Sequence, residues 1–402
     1  MPISRRTLLR ATTASAFVPM LGVVDEPDDL IELRRDLHRH PETAGEERYT
    51  AAVVARRLRK AGLAVTTGVG GHGVVGVLRG AGRGRTVAYR ADMDAVPPQD
   101  QIAGGPDPAH LCGHDIHTTI GVGVAEALAR GRRRLAGTVV FVFQPGEEAL
   151  TGAAAMLADH VLEHTRPQEI HALHCGPFPL GDFVVMPGTG MPGQDHATVT
   201  VEGAGAAERA ASLAAAINAL GTVRPPANPA ELQRLIAELL TPDGPLAEFV
   251  FMNASANGAQ VRVSYRCWPE ARWTAIRQDI DRLAAAAGPA AVSYPVDPFP
   301  AMIVPEADAR AVERYLRRSV GDGHVEVMHA AVPFNGEDFG LFLRRIPGTY
   351  SFLGVHRPGA PIETAYPHFG AFDPDERAIA HGVRAMSGWL AHRTASAHRR
   401  HD

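Results

Sequence analysis

Apolar residues recur along the first half of the chain with two periods that alternate. A spacing of three and four residues predicts helices over 28–39, 46–61, 118–130 and 152–164. Short β-branched runs between them predict strands over 74–78, 86–91, 138–143, 170–174 and 183–186. The alternation of strands with helices is typical of an α/β fold, in which helices cover a sheet.

The pattern changes near Asp195. A compact α+β module follows, with strands and helices predicted over 196–202, 207–220, 229–240, 260–266 and 272–286. We therefore predict an inserted domain at 196–298 and a main domain formed by 25–195 and 299–402. From Pro300 onward the chain is predicted to return to apolar strands, of which 349–353 is the clearest.

Composition narrows the class of function. The 402 residues carry a formal net charge of −4. The isoelectric point near 6.6 argues against a nucleic-acid-binding protein, which would carry a strongly basic face. The three cysteines, Cys112, Cys175 and Cys267, are too few for a disulfide framework. No apolar run reaches the ~18 residues of a membrane-spanning helix, so no membrane span is predicted.

The N-terminus resembles an export signal. Residues 4–10, Ser-Arg-Arg-Thr-Leu-Leu-Arg, are similar to the twin-arginine consensus, and a weakly apolar stretch follows at 14–24. Residues 1–24 are therefore either a leader of this type or a basic tail outside the fold. The sequence leaves open whether the protein is exported or cytoplasmic.

The densest candidate chemistry lies at 112–118, Cys-Gly-His-Asp-Ile-His-Thr. A thiol, two imidazoles and a carboxylate are ligand types that hold zinc-like metals. His117 is expected to begin the following helix rather than to bind metal. Further candidates follow or end predicted strands, where α/β sheets form their ligand sites, or lie near the C-terminus; they are Asp94, Glu147, Glu148, His174 and His368.

The adjacent acids Glu147 and Glu148 suggest hydrolysis. Neighbouring residues in an extended chain point in opposite directions, so one carboxylate can hold metal while the other faces substrate and water. A metal lowers the pKa of a bound water, and a nearby carboxylate can then take its proton. Two solvated acids in a loop are the alternative interpretation, which the position after Gln144-Pro145-Gly146 at a strand end disfavours.

Six motifs in order resemble the M20 metallopeptidase family. They are Leu-His-Arg-His-Pro-Glu at 37–42, Arg-Ala-Asp-Met-Asp-Ala-Val-Pro at 90–97, His-Leu-Cys-Gly-His-Asp at 110–115, Gln-Pro-Gly-Glu-Glu at 144–148, Gly-Glu-Asp-Phe at 336–339 and Phe-Leu-Gly at 352–354. Within the family, the chain is similar to the amidohydrolase branch of hippurate hydrolases, auxin-conjugate hydrolases and N-acyl amino acid aminoacylases. The resemblance implies an α/β metallopeptidase domain and an inserted α+β lid domain that mediates homodimer formation.

The resemblance also implies roles for individual residues. Matching positions make Glu147 the general base and Asp94 a carboxylate that supports the site, while Asn253 and Arg266 approach the substrate. Two divalent metal ions, zinc, manganese, cobalt or nickel, are implied, and the sequence does not choose among them. The implied metal ligands are Cys112, His114, Glu148, His174 and His368.

The predicted lid departs from the family pattern. Where relatives carry a histidine that polarises the scissile carbonyl, this chain has Ala207 within Glu-Gly-Ala-Gly-Ala-Ala-Glu-Arg at 202–209. The main hypothesis is a metal-dependent amidohydrolase that cleaves an N-acyl amino acid or a small peptide-like substrate. The alternative is a metal-binding relative with weak or no hydrolase activity. A different metal-dependent reaction on the same scaffold, such as amide or ester exchange, stays open.

Overall fold

The computed structural model describes residues 27–294 and 297–396. The leader or tail predicted at 1–24 lies outside these residues. The helices are α1 (Pro27–His38), α2 (Arg48–Lys60), α3 (His114–Arg130), α4 (Gly152–Ala158), α5 (Val161–Thr165), α6 (Ala206–Asn218), α7 (Pro229–Leu239), α8 (Trp273–Ala286), α9 (Glu306–Val320), α10 (Gly340–Leu343) and α11 (Ala378–Ala395). The strands are β1 (Ala64–Val69), β2 (Gly73–Arg79), β3 (Gly82–Asp92), β4 (Ala136–Gln144), β5 (Ile170–Pro179), β6 (Phe183–Val185), β7 (Gly190–Met191), β8 (Asp195–Val201), β9 (Phe249–Asn257), β10 (Gln260–Trp268), β11 (Ala290–Ser293), β12 (Met302–Ile303), β13 (Val325–Val327) and β14 (Gly348–His356).

The main sheet has eight strands in the order β1-β2-β4-β3-β5-β14-β6-β13. Its central strands β4, β3, β5 and β14 run parallel, with Asp92 at the end of β3 opposite Gln144 at the end of β4. Parallel strands end at the same edge of a sheet, and polar residues that follow them therefore meet there. This edge holds the candidate site.

Helices cover both faces of this sheet. Adjacent residues of a strand point to opposite faces. Val74 and Val139 accordingly pack in one hydrophobic cluster with α1, α2, α3 and α11, whereas Val75 and Val140 pack in a second cluster with α4, α5, α7 and α10. Burial on both faces explains why β4 is an almost unbroken apolar run.

A second sheet, four-stranded and antiparallel, has the order β11-β8-β10-β9. In sequence, its strands lie between the two segments that form the main domain. This sheet has a hydrophobic cluster of its own, to which α6 and α8 contribute Leu213, Ile217, Ile276 and Ile280. The α/β fold with an inserted α+β module is thus as predicted. The division at 196–298 and its role as a lid and dimerisation domain stay predictions.

Two predictions about local structure were wrong. The chain after Pro300 is not mainly strands, because α9 and α11 make up much of it. The helix predicted over 152–164 is two helices, α4 and α5, separated at His160, whose φ of 57° interrupts helical geometry. Among the described residues, no helix is both long and apolar enough to cross a membrane.

Candidate metal centre

The turn before α3 presents the first metal-binding candidates. Gly113 has a φ of +91°, and a Cβ at this position would lie 2.9 Å from Sγ of Cys175. A glycine therefore allows both the left-handed turn and the close approach to β5. The turn starts α3 at His114, earlier than predicted, so His114 and His117 lie in its first turn, three residues apart on one face.

Three imidazoles are oriented in the same way by backbone carbonyls. Nδ1 of His114 lies 2.8 Å from the carbonyl of Asp94, Nδ1 of His174 lies 2.7 Å from that of Cys175, and Nδ1 of His368 lies 3.1 Å from that of Asp100. A carbonyl accepts only, so each Nδ1 carries the proton and each Nε2 keeps its lone pair. Histidine ligands of metal ions are held in this tautomer by such outer hydrogen bonds.

These Nε2 atoms lie next to the other predicted ligands. Nε2 of His174 is 3.5 Å from Sγ of Cys112. The carboxylate of Glu148 lies between two imidazoles, 3.7 Å from Nε2 of His114 and 3.4 Å from Nε2 of His368. The structure therefore brings all five sequence-predicted ligands together, although they come from four separate parts of the chain.

Asp94 contacts two of the predicted ligands, His114 and Glu148. Its Oδ2 accepts a hydrogen bond from the backbone N–H of Glu148 at 2.9 Å, and its Oδ1 lies 3.3 Å from Nδ1 of His114. One carboxylate therefore orients an imidazole and the backbone of the Glu147-Glu148 pair. This arrangement supports the predicted role of Asp94.

His117 and Asp92 lie beside the same group but are engaged elsewhere. Nε2 of His117 accepts the N–H of Cys175 at 2.7 Å, so its Nδ1 donates to Oδ1 of Asp92 at 2.6 Å. Both nitrogens are used. The imidazole therefore holds Asp92 and β5 in place and has no lone pair left for a metal ion.

The donor set fits a transition-metal ion. Among the described residues, the buried atoms Nε2 of His114 and Oε1 of Glu148 have no hydrogen-bond partner. Buried polar atoms are rarely left unpaired, and these two lie 3.7 Å apart within the group of predicted ligands. Thiolate, imidazole and carboxylate together suit zinc-like divalent ions.

The pKa values reflect this crowding. Burial lowers the pKa of His174 well below its ordinary value, which keeps the imidazole neutral, as a ligand must be. Burial opposes protonation of His114, but the carboxylates of Asp92, Asp94 and Glu148 outweigh it and raise its pKa to about 10. Such a site attracts positive charge, either as a proton or as a metal ion.

A buried cluster of acids lies behind Glu147. Oxygens of Glu147, Glu337 and Asp338 lie within 4.8 Å of one another. Burial, then the charges of Glu337 and Glu148, raise the pKa of Glu147 well above its ordinary value. Glu147 also lies 3.9 Å from Nε2 of His114. It is therefore a carboxylate beside the metal-binding group that can accept a proton near neutral pH.

The guanidinium of Arg90 compensates the negative charge of this cluster. Arg90 donates to Asp92 at 2.5 Å, to Glu337 at 3.0 Å and to Asp338 at 3.3 Å. Gln144 connects the cluster to β4, because it accepts from Nε of Arg90 at 2.9 Å and donates to Asp338 at 2.7 Å. The cluster explains why the motifs at 90–97, 144–148 and 336–339 occur in one chain.

A cleft of about 530 Å³ opens beside these groups. Arg266 reaches it from β10; Nη2 donates to Gln194 at 3.1 Å, while Nη1 is buried and, within the described residues, lacks a hydrogen-bond partner. Ala207 and Asn253 are exposed on the inserted module, and neither is among the described residues that line this cleft. The substrate contact predicted for Asn253 stays a prediction.

The sequence reasoning missed the supporting residues Arg90, Asp92, Glu337 and Asp338. Arg90 and Asp92 alternate at the end of a buried strand, where charged side chains are costly unless they are paired. That cost was the available signal. The sequence could not identify Glu337 as the partner of Arg90, because Arg90 and Glu337 are 247 positions apart in the chain.

Comparison with known proteins agrees with this geometry. The sequence model of peptidase family M20/M25/M40 matches residues 88–392 of this chain. The chain belongs to this family. The resemblance drawn from the six motifs is thereby confirmed.

Relatives that match this chain over most of their length are named as a deacetylase and an amino acid hydrolase. The chain is 28% identical over 385 residues to an N-acetyldiaminopimelate deacetylase of Enterococcus faecalis, covering 91% of this chain and 98% of the relative. It is also 28% identical over 389 residues to IAA-amino acid hydrolase ILR1-like 5 of Arabidopsis thaliana, covering 90% and 85%. The YXEP protein of Bacillus subtilis, a dinuclear metal-binding peptidase of the M20 family, superimposes with a TM-score of 0.66 at 26% identity, covering 91% of this chain and 97% of YXEP. The assignment of this chain to the metal-dependent hydrolases of C–N bonds is confirmed.

Proposed function

We propose that this protein hydrolyses the amide bond of an N-acyl amino acid or a small peptide-like substrate, with Glu147 as the general base. The observation that carries the proposal is the convergence of three imidazole Nε2 atoms, Cys112 and Glu148 beside the buried Glu147, which lies 3.9 Å from Nε2 of His114 and is not one of the five predicted ligands. This arrangement separates groups that bind cations from a group that moves a proton.

The proposed centre binds two divalent ions, which are zinc, manganese, cobalt or nickel. Cys112, His114, Glu148, His174 and His368 would hold them. When bound, such ions polarise the amide carbonyl and lower the pKa of the attacking water. Two ions rather than one are supported by the number of donors, since five protein ligands exceed the three or four that one open zinc site uses.

The residues around the ions then share the work of the reaction. Glu147 accepts a proton from the attacking water and returns it to the leaving nitrogen. Arg266, whose buried Nη1 has no hydrogen-bond partner within the part of the chain that the structure describes, pairs with the carboxylate of the substrate through charge-assisted hydrogen bonds. Asp94 holds His114 and the backbone of Glu148, which fixes the direction in which Glu147 points.

The missing lid histidine leads to the alternative of a metal-binding protein with weak or no activity. Loss of one oxyanion donor typically costs ~10²–10³ in turnover, which reduces hydrolysis without abolishing it. The intact ligand set and Glu147 favour the hydrolase. Ala207 and Asn253 influence the site only if a partner subunit brings them to it.

A homodimer through the inserted module is also proposed. Its strands β9 and β11 are the edges of the four-stranded sheet, and edge strands offer unpaired backbone groups to a second chain. Light scattering during size-exclusion chromatography measures the mass directly. A monomer at all concentrations tested would rule this interface out.

The catalytic proposal is tested with protein reconstituted with each of the four metals and assayed on a panel of N-acyl amino acids. We expect turnover by the wild-type protein and a ~10²–10⁴-fold lower kcat for Glu147→Gln with unchanged metal content. Glu163→Gln, a surface glutamate paired with Arg345, is the matched control and keeps full activity. Absence of turnover of every amide with two ions bound would favour the alternative, and an unchanged kcat for Glu147→Gln would disprove the mechanism.

A further inference from the structure

Residues 221–248, here called the strap, join α6 to β9 within the inserted module and include α7. The strap begins on the small sheet, where Thr222 donates its N–H to the carbonyl of Val250 at 2.8 Å. Its helix α7 then leaves that sheet. Leu232, Leu235 and Leu239 are buried in the second cluster of the main sheet, not in the cluster of the small one. The strap therefore connects the two modules.

Several contacts hold the strap in place. The N–H of His329 donates to the carbonyl of Leu239 at 2.8 Å, which attaches the end of α7 to the main module. At its start, Asn228 caps the helix by accepting the N–H of Glu231 at 3.0 Å. Leu246, 3% exposed, anchors the return of the chain in the same cluster. The strap is thus a packed wall rather than a loose loop.

The inner side of this wall faces the proposed active site. Pro225, Pro226 and Leu239 line the same cleft as Glu147 and His368. The rings of Phe251 and Phe334 meet edge to face at 5.1 Å and add apolar surface contributed by both modules. A positive charge is supplied by Arg266, which lines the same cleft and whose Nη1 has no hydrogen-bond partner among the described residues. The cleft therefore offers a charged end and an apolar wall.

We propose that the strap determines specificity, with Pro226 and Leu239 forming the pocket wall for the apolar group of the substrate. The inference rests on the proposed function, since it assumes that the amide lies between Arg266 and this wall. Apolar pockets discriminate by size, at about 10–200-fold for one methylene group. The wall belongs to the same chain as Glu147, so this selection needs no second subunit.

The test compares two leucines of α7 that differ in what they face. Leu239→Ala removes the branched end of a side chain that lines the cleft. Leu235→Ala makes the same change one helical turn away, at a residue that is 6% exposed and not among the described residues lining the cleft. Leu239→Val is a milder variant in case the alanine variant does not fold. Thermal unfolding of each variant measures the structural effect separately.

Two substrate series measure selectivity. One varies a straight acyl chain at a fixed amino acid, and the other varies the amino-acid side chain at a fixed acetyl group. The measured quantity is the ratio of kcat/KM for the larger members of a series to kcat/KM for its smallest member. We expect Leu239→Ala to raise this ratio about tenfold in one of the two series, the one whose varied group contacts Leu239. We expect Leu235→Ala to lower thermal stability but to leave that ratio at the wild-type value.

A second readout does not need turnover. Straight-chain carboxylates of increasing length are titrated into the metal-loaded protein by calorimetry, and Leu239→Ala should shift the preferred length upward while Leu235→Ala should not. Equal behaviour of the two variants in both assays would overturn the proposal. If the wild-type protein cleaves no amide but the calorimetric shift is seen, the proposed function fails while the role of the strap stands.

Discussion

Replacing Arg90 by methionine tests whether one guanidinium holds the acid cluster behind the site. Arg90 is 2% exposed and pairs with Asp92, Glu337 and Asp338, each at most 2% exposed. Methionine keeps much of the volume but leaves these carboxylates without a compensating charge. Removing one partner from a buried ion network costs ~3–5 kcal/mol. We expect the free energy of unfolding to fall by that amount near pH 8.

Denaturant unfolding followed by tryptophan fluorescence measures the change. Arg282→Met is the matched control, because Arg282 is 73% exposed and pairs with Asp279 near the surface. An exposed pair of this kind contributes ~0.2–1 kcal/mol. A loss for Arg90→Met no larger than that of the control would refute the reasoning.

The pH dependence supplies a second check. Burial raises the pKa of Asp338 from 3.8 to about 7, against the opposing charge of Arg90. Between these two values the folded protein holds a proton that the unfolded chain has lost, so the contribution of Asp338 to stability rises as pH falls through about 7. Without Arg90 this pKa rises further. The penalty of Arg90→Met should therefore be largest above pH ~7 and shrink on acidification; the same penalty at pH 6 and pH 8 would contradict the charge argument.

Two further predictions concern residues around the metal-binding group. His117→Asn removes the link between Asp92 and β5 without removing a ligand, and should weaken metal binding by ~10–100-fold in competition with a chromophoric chelator; an unchanged affinity would show that His117 does not support the site. Arg266→Gln should raise KM for substrates that carry a carboxylate while kcat changes less, whereas Arg262→Gln, an exposed arginine on the same strand, should leave both unchanged; equal effects of the two variants would exclude the proposed carboxylate contact.

Local patterns were sufficient to predict the central strands, because a strand buried on both faces must be apolar throughout. β2, β3 and β4 were predicted to within a few residues, and the polar residues after them were recognised as site candidates. The chemistry of the ligands is also local, since a thiol, imidazoles and carboxylates bind zinc-like ions wherever they meet. The same reasoning failed after Pro300, where strands were predicted and the helices α9 and α11 were missed.

The sequence by itself therefore determined the α/β class, the ligand types and the general base candidate, since each depends on side-chain chemistry and on periodicity along the chain. Only the tertiary structure decided the tautomers of His114 and His368, because backbone carbonyls 20 and 268 positions away in the chain accept their Nδ1 protons. It also decided that α7 packs against the main sheet, although its leucine stripe was visible in the sequence. A stripe of leucines indicates that a helix buries one face, but apolar contact is not directional, and only the folded chain shows which surface covers it.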